Sequence, residues 1–227
     1  MDKAESWLDK TLHYRFKDAG LFAQALTHRS ANGLNNERLE FLGDAVLDFV
    51  ISEALYALRP AANEGDLSRL RASLVKDTSL ATIAVELGIG EFLVMGSGEL
   101  KTGGHRRESI LADAIEALFG AVYLDSGFDA AKDVIERVFA ERLNMLPDAS
   151  ELRDPKTRLQ EWLQARGMSL PIYDLVNVTG EDHKRQFFMS CTVSELSRTT
   201  EGEATSRRRA EQKAARNMLQ ILVEEQP

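Results

Sequence analysis

The spacing of apolar residues divides the chain into two parts. From residue 6 to about residue 143, apolar positions recur every three or four residues, which is the period of helices that pack on a common core. Two prolines, small residues and charges then come together in 146–155, a composition typical of a linker. We therefore predict an all-helical domain at 1–148, a linker at 149–154 and a second domain at 155–227.

The second part begins with a short helix predicted over 157–166. Three extended segments follow at 173–179, 186–194 and 196–201, and in the second of these apolar residues alternate with others, as in strands with one buried face. A last helix begins near Ser206 and carries small or apolar residues at steps of four, namely Ala210, Ala214, Met218 and Leu222. The expected fold class is multidomain, with an all-α domain followed by a small α+β domain of order α-β-β-β-α.

Carboxylates interrupt two of the apolar helices in the first domain. Glu40 and Asp44 lie four residues apart, and Asp113 and Glu116 lie three apart, so each pair leaves its helix on one face. If the two helices pack face to face, four carboxylates meet in one small volume, where they either share protons or hold a hard cation. Oxygen ligands alone favour Mg²⁺ or Mn²⁺. The competing interpretation is a solvated helix face with ordinary ion pairs to Arg38, Arg69 and Arg71.

The distribution of charge matters more than its sum. The net charge is −8, but residues 1–150 carry 24 acidic and 16 basic residues, whereas 151–227 carry 12 of each. Arg207, Arg208 and Arg209 are consecutive at the start of the last helix, where they oppose the helix dipole at a cost of a few tenths of a kcal/mol each. Such a cluster suits phosphate binding. The alternative is a solvated face balanced by Glu201, Glu203 and Glu211.

Composition excludes several classes of protein. The single cysteine, Cys191, excludes internal disulfides and thiolate zinc sites, and none of the four histidines has a paired metal-binding spacing. The glycine-rich stretch at 96–102 lacks the lysine spacing of a phosphate loop, which argues against a nucleotide triphosphatase. No apolar stretch approaches the roughly 20 residues of a membrane span, and the first residues lack an apolar signal region. We expect a soluble, cytoplasmic protein without membrane association.

Several segments together resemble bacterial ribonuclease III. Residues 36–47 (NERLEFLGDAVL) look like the signature of that family, and 112–125 (ADAIEALFGAVYLD) resemble its second acidic helix. Residues 64–75 and 96–113 are also similar to the family, as is the C-terminal part, which resembles its double-stranded-RNA-binding domain. The resemblance covers nearly the whole chain.

The resemblance implies a set of site residues in the helical domain. It makes Asp44 and Glu116 the acids closest to the chemistry, and it adds Glu37 and Glu64 as acids near the scission site. Glu64 could equally be an acid favoured by the dipole at a helix start. The divalent-metal ligands that it implies are Glu40, Asp44, Asp113 and Glu116.

Three further residues near the signature segment have assigned roles. Phe41 resembles the aromatic residue that docks into the partner subunit in the family, with simple core packing as the alternative. Asn36 is expected to cap the helix or to orient Glu37. Asp48 fits the acidic face but not the ligand set, so it is expected to be a surface or structural acid.

The C-terminal part implies contacts to duplex RNA. Residues 202–219 resemble the third RNA-contacting motif of the domain, in which Ser206 precedes the basic pair Arg207 and Arg208. Ala204 stands where the family commonly has a second glycine, which puts the backbone geometry of that turn in question. This domain type reads the shape and the 2′-hydroxyls of A-form helices, so weak sequence preference is expected. The positions that match minor-groove and ribose contacts are His183, Gln160 and Glu161.

The implied activity is Mg²⁺-dependent hydrolysis of phosphodiester bonds in double-stranded RNA, with Mn²⁺ as a possible substitute. A bound metal would contact a phosphate oxygen and lower the pKa of a water molecule. The products would carry 5′-phosphate and 3′-hydroxyl ends, and the substrates would be ribosomal and other structured precursors, including messenger and transfer RNA. Two cuts require two acidic clusters, so we expect a homodimer through the helical domain. The alternative is a protein that binds duplex RNA without cutting it.

Overall fold

The computed structural model describes residues 7–8, 10–181 and 184–224 of the 227-residue chain. Its internal contacts divide the chain into two compact units. The first, called the helical unit, is Met1–Ala149, and the second, called the mixed unit, is Ser150–Pro227. Among the described residues, none of the helices combines the length and the apolar character needed to cross a bilayer.

Seven α-helices of the helical unit lie wholly within the described residues. They are α1 (Ala19–Ala25), α2 (Glu37–Leu58), α3 (Glu64–Val75), α4 (Asp77–Glu86), α5 (Ser97–Lys101), α6 (Glu108–Ser126) and α7 (Phe128–Asn144). Helix α6 lies at the centre and packs against α1, α2, α4 and α7. Every residue from Ile110 to Val122 is buried except Asp113 and Glu116. Two carboxylates therefore stand in the middle of the most buried helix of the unit.

Side chains at the helix ends explain where these helices begin. Asp18 accepts a hydrogen bond from the backbone N–H of Gly20 at 2.7 Å and caps α1, and Asn63 caps α3 by accepting from the N–H of Asp66 at 2.9 Å. Helix α6 ends at Gly127, whose φ of 84° allows the chain to turn directly into α7. Near that end, Asp125 accepts hydrogen bonds from backbone N–H groups of the segment before α1.

The mixed unit has the order α-β-β-β-α, which confirms the predicted fold class. Its elements are α8 (Pro155–Gln164), β1 (Ile172–Thr179), β2 (Gln186–Val193), β3 (Arg198–Ala204) and α9 (Arg207–Glu224). The strands form an antiparallel sheet in the order β1-β2-β3. Met189, Cys191 and Val193 are buried as the alternation predicts, and Cys191 and Val193 share a core with Leu159 and Met218 from the two helices.

The third strand lies later in the chain than predicted. It begins at Arg198 instead of residue 196, because Ser194–Leu196 form a 3-10 turn and Ser197 adopts a left-handed backbone with a φ of 48°. It then continues to Ala204, which pairs with Phe187 of β2. The sequence pattern did not predict this turn, because none of the residues that form it is a glycine or a proline.

Candidate functional site

Helices α2 and α6 cross with their backbones in contact. A Cβ atom added to Gly43 would lie 1.8 Å from the carbonyl oxygen of Glu116, and one added to Gly120 would lie 2.2 Å from that of Leu39. No side chain fits at either glycine, so both positions require this residue. Gly43 lies between Glu40 and Asp44 on α2, and Gly120 lies one turn after Glu116 on α6. The crossing therefore brings the two acidic faces together.

Three of the four predicted ligands meet at this crossing. Carboxylate oxygens of Glu40, Asp113 and Glu116 all lie within 4.8 Å of one another, and each residue is half-buried. Asp44 lies outside this set and is more exposed, but among the neighbouring charges its effect on the pKa of Glu116 is the largest. The structure thus forms a three-carboxylate cluster with a fourth acid beside it.

The pKa of Glu116 is the most strongly shifted in the cluster. Burial makes the largest contribution, and together with the charges of Asp44, Glu40 and Asp113 it raises this pKa from 4.5 to about 8. Burial is also the main reason that the pKa values of those three acids are raised. Half-buried carboxylates that repel one another are stabilised either by protons or by a cation. The donor set contains only hard oxygen atoms, so it fits Mg²⁺ or Mn²⁺.

Two other predicted acids lie apart from the three-carboxylate cluster. Glu37, at the start of α2, forms an ion pair of 3.5 Å with Arg29 and raises the pKa of Glu40. Glu64 is the first residue of α3, is exposed and accepts a hydrogen bond from the Ser68 hydroxyl at 2.8 Å. It lines a separate groove of about 550 Å³ formed by residues of α2 and α3.

The residue that holds the start of α2 is Asn35, so the prediction for the Asn36 side chain was wrong. Asn36 occupies the capping position, but among the described residues its buried side chain makes no capping hydrogen bond. The side-chain oxygen of Asn35 accepts a hydrogen bond from the N–H of Glu37 at 3.1 Å, and its side-chain nitrogen donates to the Glu37 carboxylate at 3.3 Å. Asp48, expected to be a structural acid, lies 3.9 Å from the Arg71 guanidinium.

Sequence reasoning missed several residues around the cluster. For Gly43 and Gly120, the only sign of a special role in the sequence is that a glycine stands within a helical pattern. Asp77, the exposed first residue of α4, raises the pKa values of Asp113 and Glu116, although no motif includes it. Arg29 was missed for the same reason.

Phe41 does not pack in the core, so that alternative is wrong. Its side chain is 81% exposed on α2, and Phe49 on the same helix is 59% exposed. Nearby is an apolar groove of about 380 Å³, called the α2 groove, which is lined by Leu42, Ala45, Val46, Phe49, Tyr123 and Phe128. A large exposed aromatic residue next to an apolar groove is typical of a protein–protein contact.

In the mixed unit the predicted RNA-contacting side chains that the structure describes face solvent. Arg207 and Arg208 are exposed in the first turn of α9, and the Ser206 hydroxyl accepts from the N–H of Arg209 at 3.3 Å. Gln160 and Glu161 are exposed on α8. The starts of the two helices are joined by hydrogen bonds between Asp154 and Gln212 and between Lys156 and Glu211. The remaining predicted contact, His183, lies outside the described residues.

The backbone at Ala204 needs no glycine. Ala204 is the last residue of β3, and among the described non-glycine residues only His13 and Ser197 have a positive φ. Gly202, two residues earlier, is the glycine that the fold requires, because a Cβ atom there would lie 2.2 Å from the carbonyl oxygen of Ala210 in α9.

A half-buried acidic cluster on crossed helices, followed by an α-β-β-β-α unit with exposed arginines, is the arrangement of a nuclease that carries its own RNA-binding domain. The family model described as Ribonuclease-III-like matches residues 18–143, and the double-stranded RNA binding motif matches 155–222. Ribonuclease 3 of Alkalilimnicola ehrlichii is 54% identical over 215 residues, which cover 95% of this chain and 94% of that protein. The chain belongs to the ribonuclease III family, whose members are endoribonucleases that act on double-stranded RNA.

Solved structures of the nuclease domain of ribonuclease III from Campylobacter jejuni are similar to the helical unit. One has a TM-score of 0.61 and 45% sequence identity, and the match covers 64% of this chain and all of that chain. A second structure of that domain shows structural flexibility in a region involved in dimer formation. It has a TM-score of 0.59 and 46% sequence identity, and the match covers 61% of this chain and 98% of that chain.

Proposed function

We propose that this endoribonuclease hydrolyses phosphodiester bonds in duplex RNA with Mg²⁺ bound at the acidic cluster, leaving 5′-phosphate and 3′-hydroxyl ends. Mn²⁺ would fit the same oxygen ligands. The observation that carries the proposal is the convergence of Glu40, Asp113 and Glu116 within 4.8 Å, beside Asp44. Ribosomal and other structured RNA precursors are the proposed substrates, and the cytoplasm, where such precursors are made in bacteria, is the proposed location.

In the proposed mechanism Glu40, Asp44, Asp113 and Glu116 would hold the metal. When bound, Mg²⁺ supplies a Lewis acid for a phosphate oxygen and lowers the pKa of a water molecule. The protein itself positions the carboxylates. The close crossing of α2 and α6 at Gly43 and Gly120 fixes them on two rigid helices, so they need little reorganisation when the substrate binds. Glu37 and Glu64 are proposed to act at the edge of the site, on the approaching RNA strand.

The mixed unit is proposed to hold the duplex. Exposed guanidiniums of Arg207 and Arg208 at the start of α9, after Ser206, suit phosphates lining a groove. Gln160, Glu161 and His183 are proposed to contact ribose hydroxyls and the minor groove, which would give recognition by shape.

Two copies of the helical unit are proposed to form a homodimer. A two-fold dimer provides one acidic cluster for each strand of the duplex. The exposed Phe41 and the adjacent α2 groove offer an aromatic side chain and an apolar recess of the kind that occupy the centre of interfaces. The Campylobacter jejuni relative, whose description refers to a region involved in dimer formation, supports the same arrangement.

The cleavage proposal is tested with Glu116→Gln, which keeps the shape of the side chain and removes its ability to ionise. Incubated with a long RNA duplex in Mg²⁺, the variant should cut at least about 1,000-fold more slowly than the wild type, while its duplex affinity changes less than twofold. Glu141→Gln, an exposed acid on α7, is the matched control and should cut normally. Substantial Mg²⁺-dependent cutting by Glu116→Gln would contradict the assigned role.

The same assay also tests the alternative function, that of a protein that binds duplexes without cutting them. The presence of all four carboxylates favours the enzyme, because a non-cleaving protein has no need for charges that are costly to bury. If the wild-type protein binds the duplex in Mg²⁺ but yields no shorter products, the non-cleaving function is the correct one.

The dimer is tested by Phe41→Ala. Removing this exposed ring should weaken association at least tenfold, as measured by analytical ultracentrifugation over a range of protein concentrations. Val85→Ala, which shortens another side chain that is 65% exposed, should leave the dimer unchanged. A Phe41→Ala variant that associates as tightly as the wild type would rule out the proposed contact.

A further inference from the structure

The turn that follows α1 is fixed to a neighbouring segment of the helical unit. The N–H of His28 donates to the carbonyl oxygen of Val94 at 2.8 Å, and the N–H of Val94 donates to that of Leu26 at 2.9 Å. The Ser30 hydroxyl accepts from the N–H of Gly96 at 2.9 Å and lies 2.8 Å from a ring nitrogen of His28. Arg29 stands between these two anchored residues, so its backbone position is well defined.

The Arg29 side chain points to solvent next to the acidic cluster. It is 70% exposed, and its guanidinium lies 3.5 Å from a carboxylate oxygen of Glu37. Its positive charge also offsets part of the rise in the pKa values of Glu40 and Asp113, two of the proposed metal ligands. Arg29 is therefore a cation within electrostatic reach of the cluster that is still accessible to a large ligand.

The ion pair with Glu37 leaves most of this guanidinium available. Exposed ion pairs contribute little to stability, so Arg29 can exchange Glu37 for another anion at small cost. A guanidinium has five N–H donors in a planar fork that matches the oxygens of a phosphate. An RNA strand with one phosphate at the cluster necessarily brings the neighbouring phosphates of the same strand close to it. These phosphates meet repulsion from the acids, which a nearby guanidinium would offset.

We propose that Arg29 binds a backbone phosphate next to the scissile one and thereby sets the position of the RNA strand across the acidic cluster. This inference rests on the proposed nuclease function and assigns a positioning residue to it. In the free protein Glu37 holds the guanidinium near the site, and the arriving phosphate replaces Glu37.

The test compares full-length Arg29→Ala and Arg29→Lys with the wild type in duplex cleavage at several KCl concentrations and saturating Mg²⁺. In Arg29→Ala, kcat/KM should fall about 10- to 100-fold at low salt. The slope of log kcat/KM against log salt should become shallower by about one, because one phosphate contact is lost. Arg29→Lys should recover most of the slope but only part of the rate, because an ammonium cannot form the two parallel bonds of a guanidinium.

A second measurement separates phosphate binding from a purely electrostatic effect on the acids. Mn²⁺ binding to the RNA-free protein, followed by calorimetry, should change less than twofold in Arg29→Ala. Arg142→Ala, which removes an exposed arginine paired with Glu86, is the matched control and should leave both slope and metal affinity unchanged.

An unchanged salt slope in Arg29→Ala overturns the inference, and so does a shift in Mn²⁺ affinity without a change in slope. If the wild-type protein does not cleave RNA at all, the proposed function fails separately. The Arg29 contact is then tested by the salt dependence of duplex binding in Mg²⁺. Its slope should still become shallower by about one in Arg29→Ala if the contact exists.

Discussion

The helical unit and the mixed unit hold their functional charges in opposite ways. In the helical unit the carboxylates are half-buried on two helices whose backbones touch, and burial raises their pKa values, that of Glu116 to about 8. In the mixed unit the arginines at 207–209 are exposed at the start of α9. In the first arrangement the carboxylates repel one another, and a bound cation reduces that repulsion. In the second, the long cationic side chains remain in water, so they cost little free energy of folding.

This difference predicts different responses to substitution. A metal centre depends on the distances between its ligands, so a backbone shift of about an ångström should disable it. A face that binds phosphates through long, exposed side chains should lose affinity in steps, one contact at a time.

Among substitutions that leave every charged group in place, the largest effect is expected from Gly120→Ala. The added methyl group would lie 2.2 Å from the carbonyl oxygen of Leu39, so α2 and α6 must separate. We expect cleavage at least about 100-fold slower and a free energy of unfolding lower by about 2 kcal/mol. Rates are measured well below the melting temperature, and stability by urea denaturation.

The matched control is Gly98→Ala in α5, where a Cβ atom has no heavy atom within 4 Å among the described residues. It should retain normal activity and equal or slightly higher stability. A Gly120→Ala protein that cleaves at the wild-type rate would show that the helix crossing does not determine the ligand distances.

The next effect is a pH dependence of stability that belongs to Glu116. Because its folded pKa is raised from 4.5 to about 8, the folded state favours the protonated acid. Stability is therefore lost as the pH rises between these two values and levels off above them. After allowance for partial exposure, Glu116→Gln should be about 2 kcal/mol more stable than the wild type at pH 8.5 and equally stable at pH 4.

This prediction is checked by urea denaturation at pH 4, 6.5 and 8.5 in EDTA. Repeating the series in Mg²⁺ should reduce the difference at high pH, because a bound cation stabilises the ionised wild-type cluster. A difference between the two proteins that stays constant with pH would mean that Glu116 titrates normally.

The sequence predicted those parts of the structure that depend on local periodicity. The acidic faces of α2 and α6 follow from spacings of three and four residues, and the buried positions of β2 follow from alternation. The contact between Gly43 and Gly120 could not be predicted in this way, because it joins backbones 77 residues apart in the chain. A glycine within a helical pattern signals a close approach but does not identify its partner.

Other differences arise from single backbone conformations. The capping hydrogen bond at the start of α2 comes from Asn35 instead of its neighbour, and two adjacent asparagines have identical chemistry in the sequence. The left-handed backbone at Ser197 moves the start of β3 further along the chain, and a serine does not by itself indicate that conformation. Phe41 was ambiguous because an aromatic residue suits either a core or an interface. Only the fold shows that it faces solvent.

A smaller, graded effect is expected from removing the arginines of the mixed unit. Arg207→Ala with Arg208→Ala should weaken duplex binding about tenfold at low salt and make the salt slope shallower by about two, one for each lost phosphate contact. Folding should be unaffected, or slightly stabilised, because these cations oppose the dipole of α9. Arg198→Ala, which removes an exposed arginine at the start of β3 and outside the RNA-contacting motif at 202–219, is the control and should not change the slope. An unchanged slope in the double variant would contradict the assigned face.

The smallest effect is expected from Ala204→Gly. If the domain needed glycine here for a special backbone conformation, the substitution should tighten duplex binding. Ala204 instead ends β3 in a ladder with Phe187, without a positive φ, so glycine removes no strain and only increases the freedom of the unfolded chain. We expect duplex affinity within twofold of the wild type and a free energy of unfolding lower by about 0.5 kcal/mol. Filter binding and urea denaturation measure the two quantities, and tighter binding by more than about threefold would show that the alanine limits the fit of the turn to RNA.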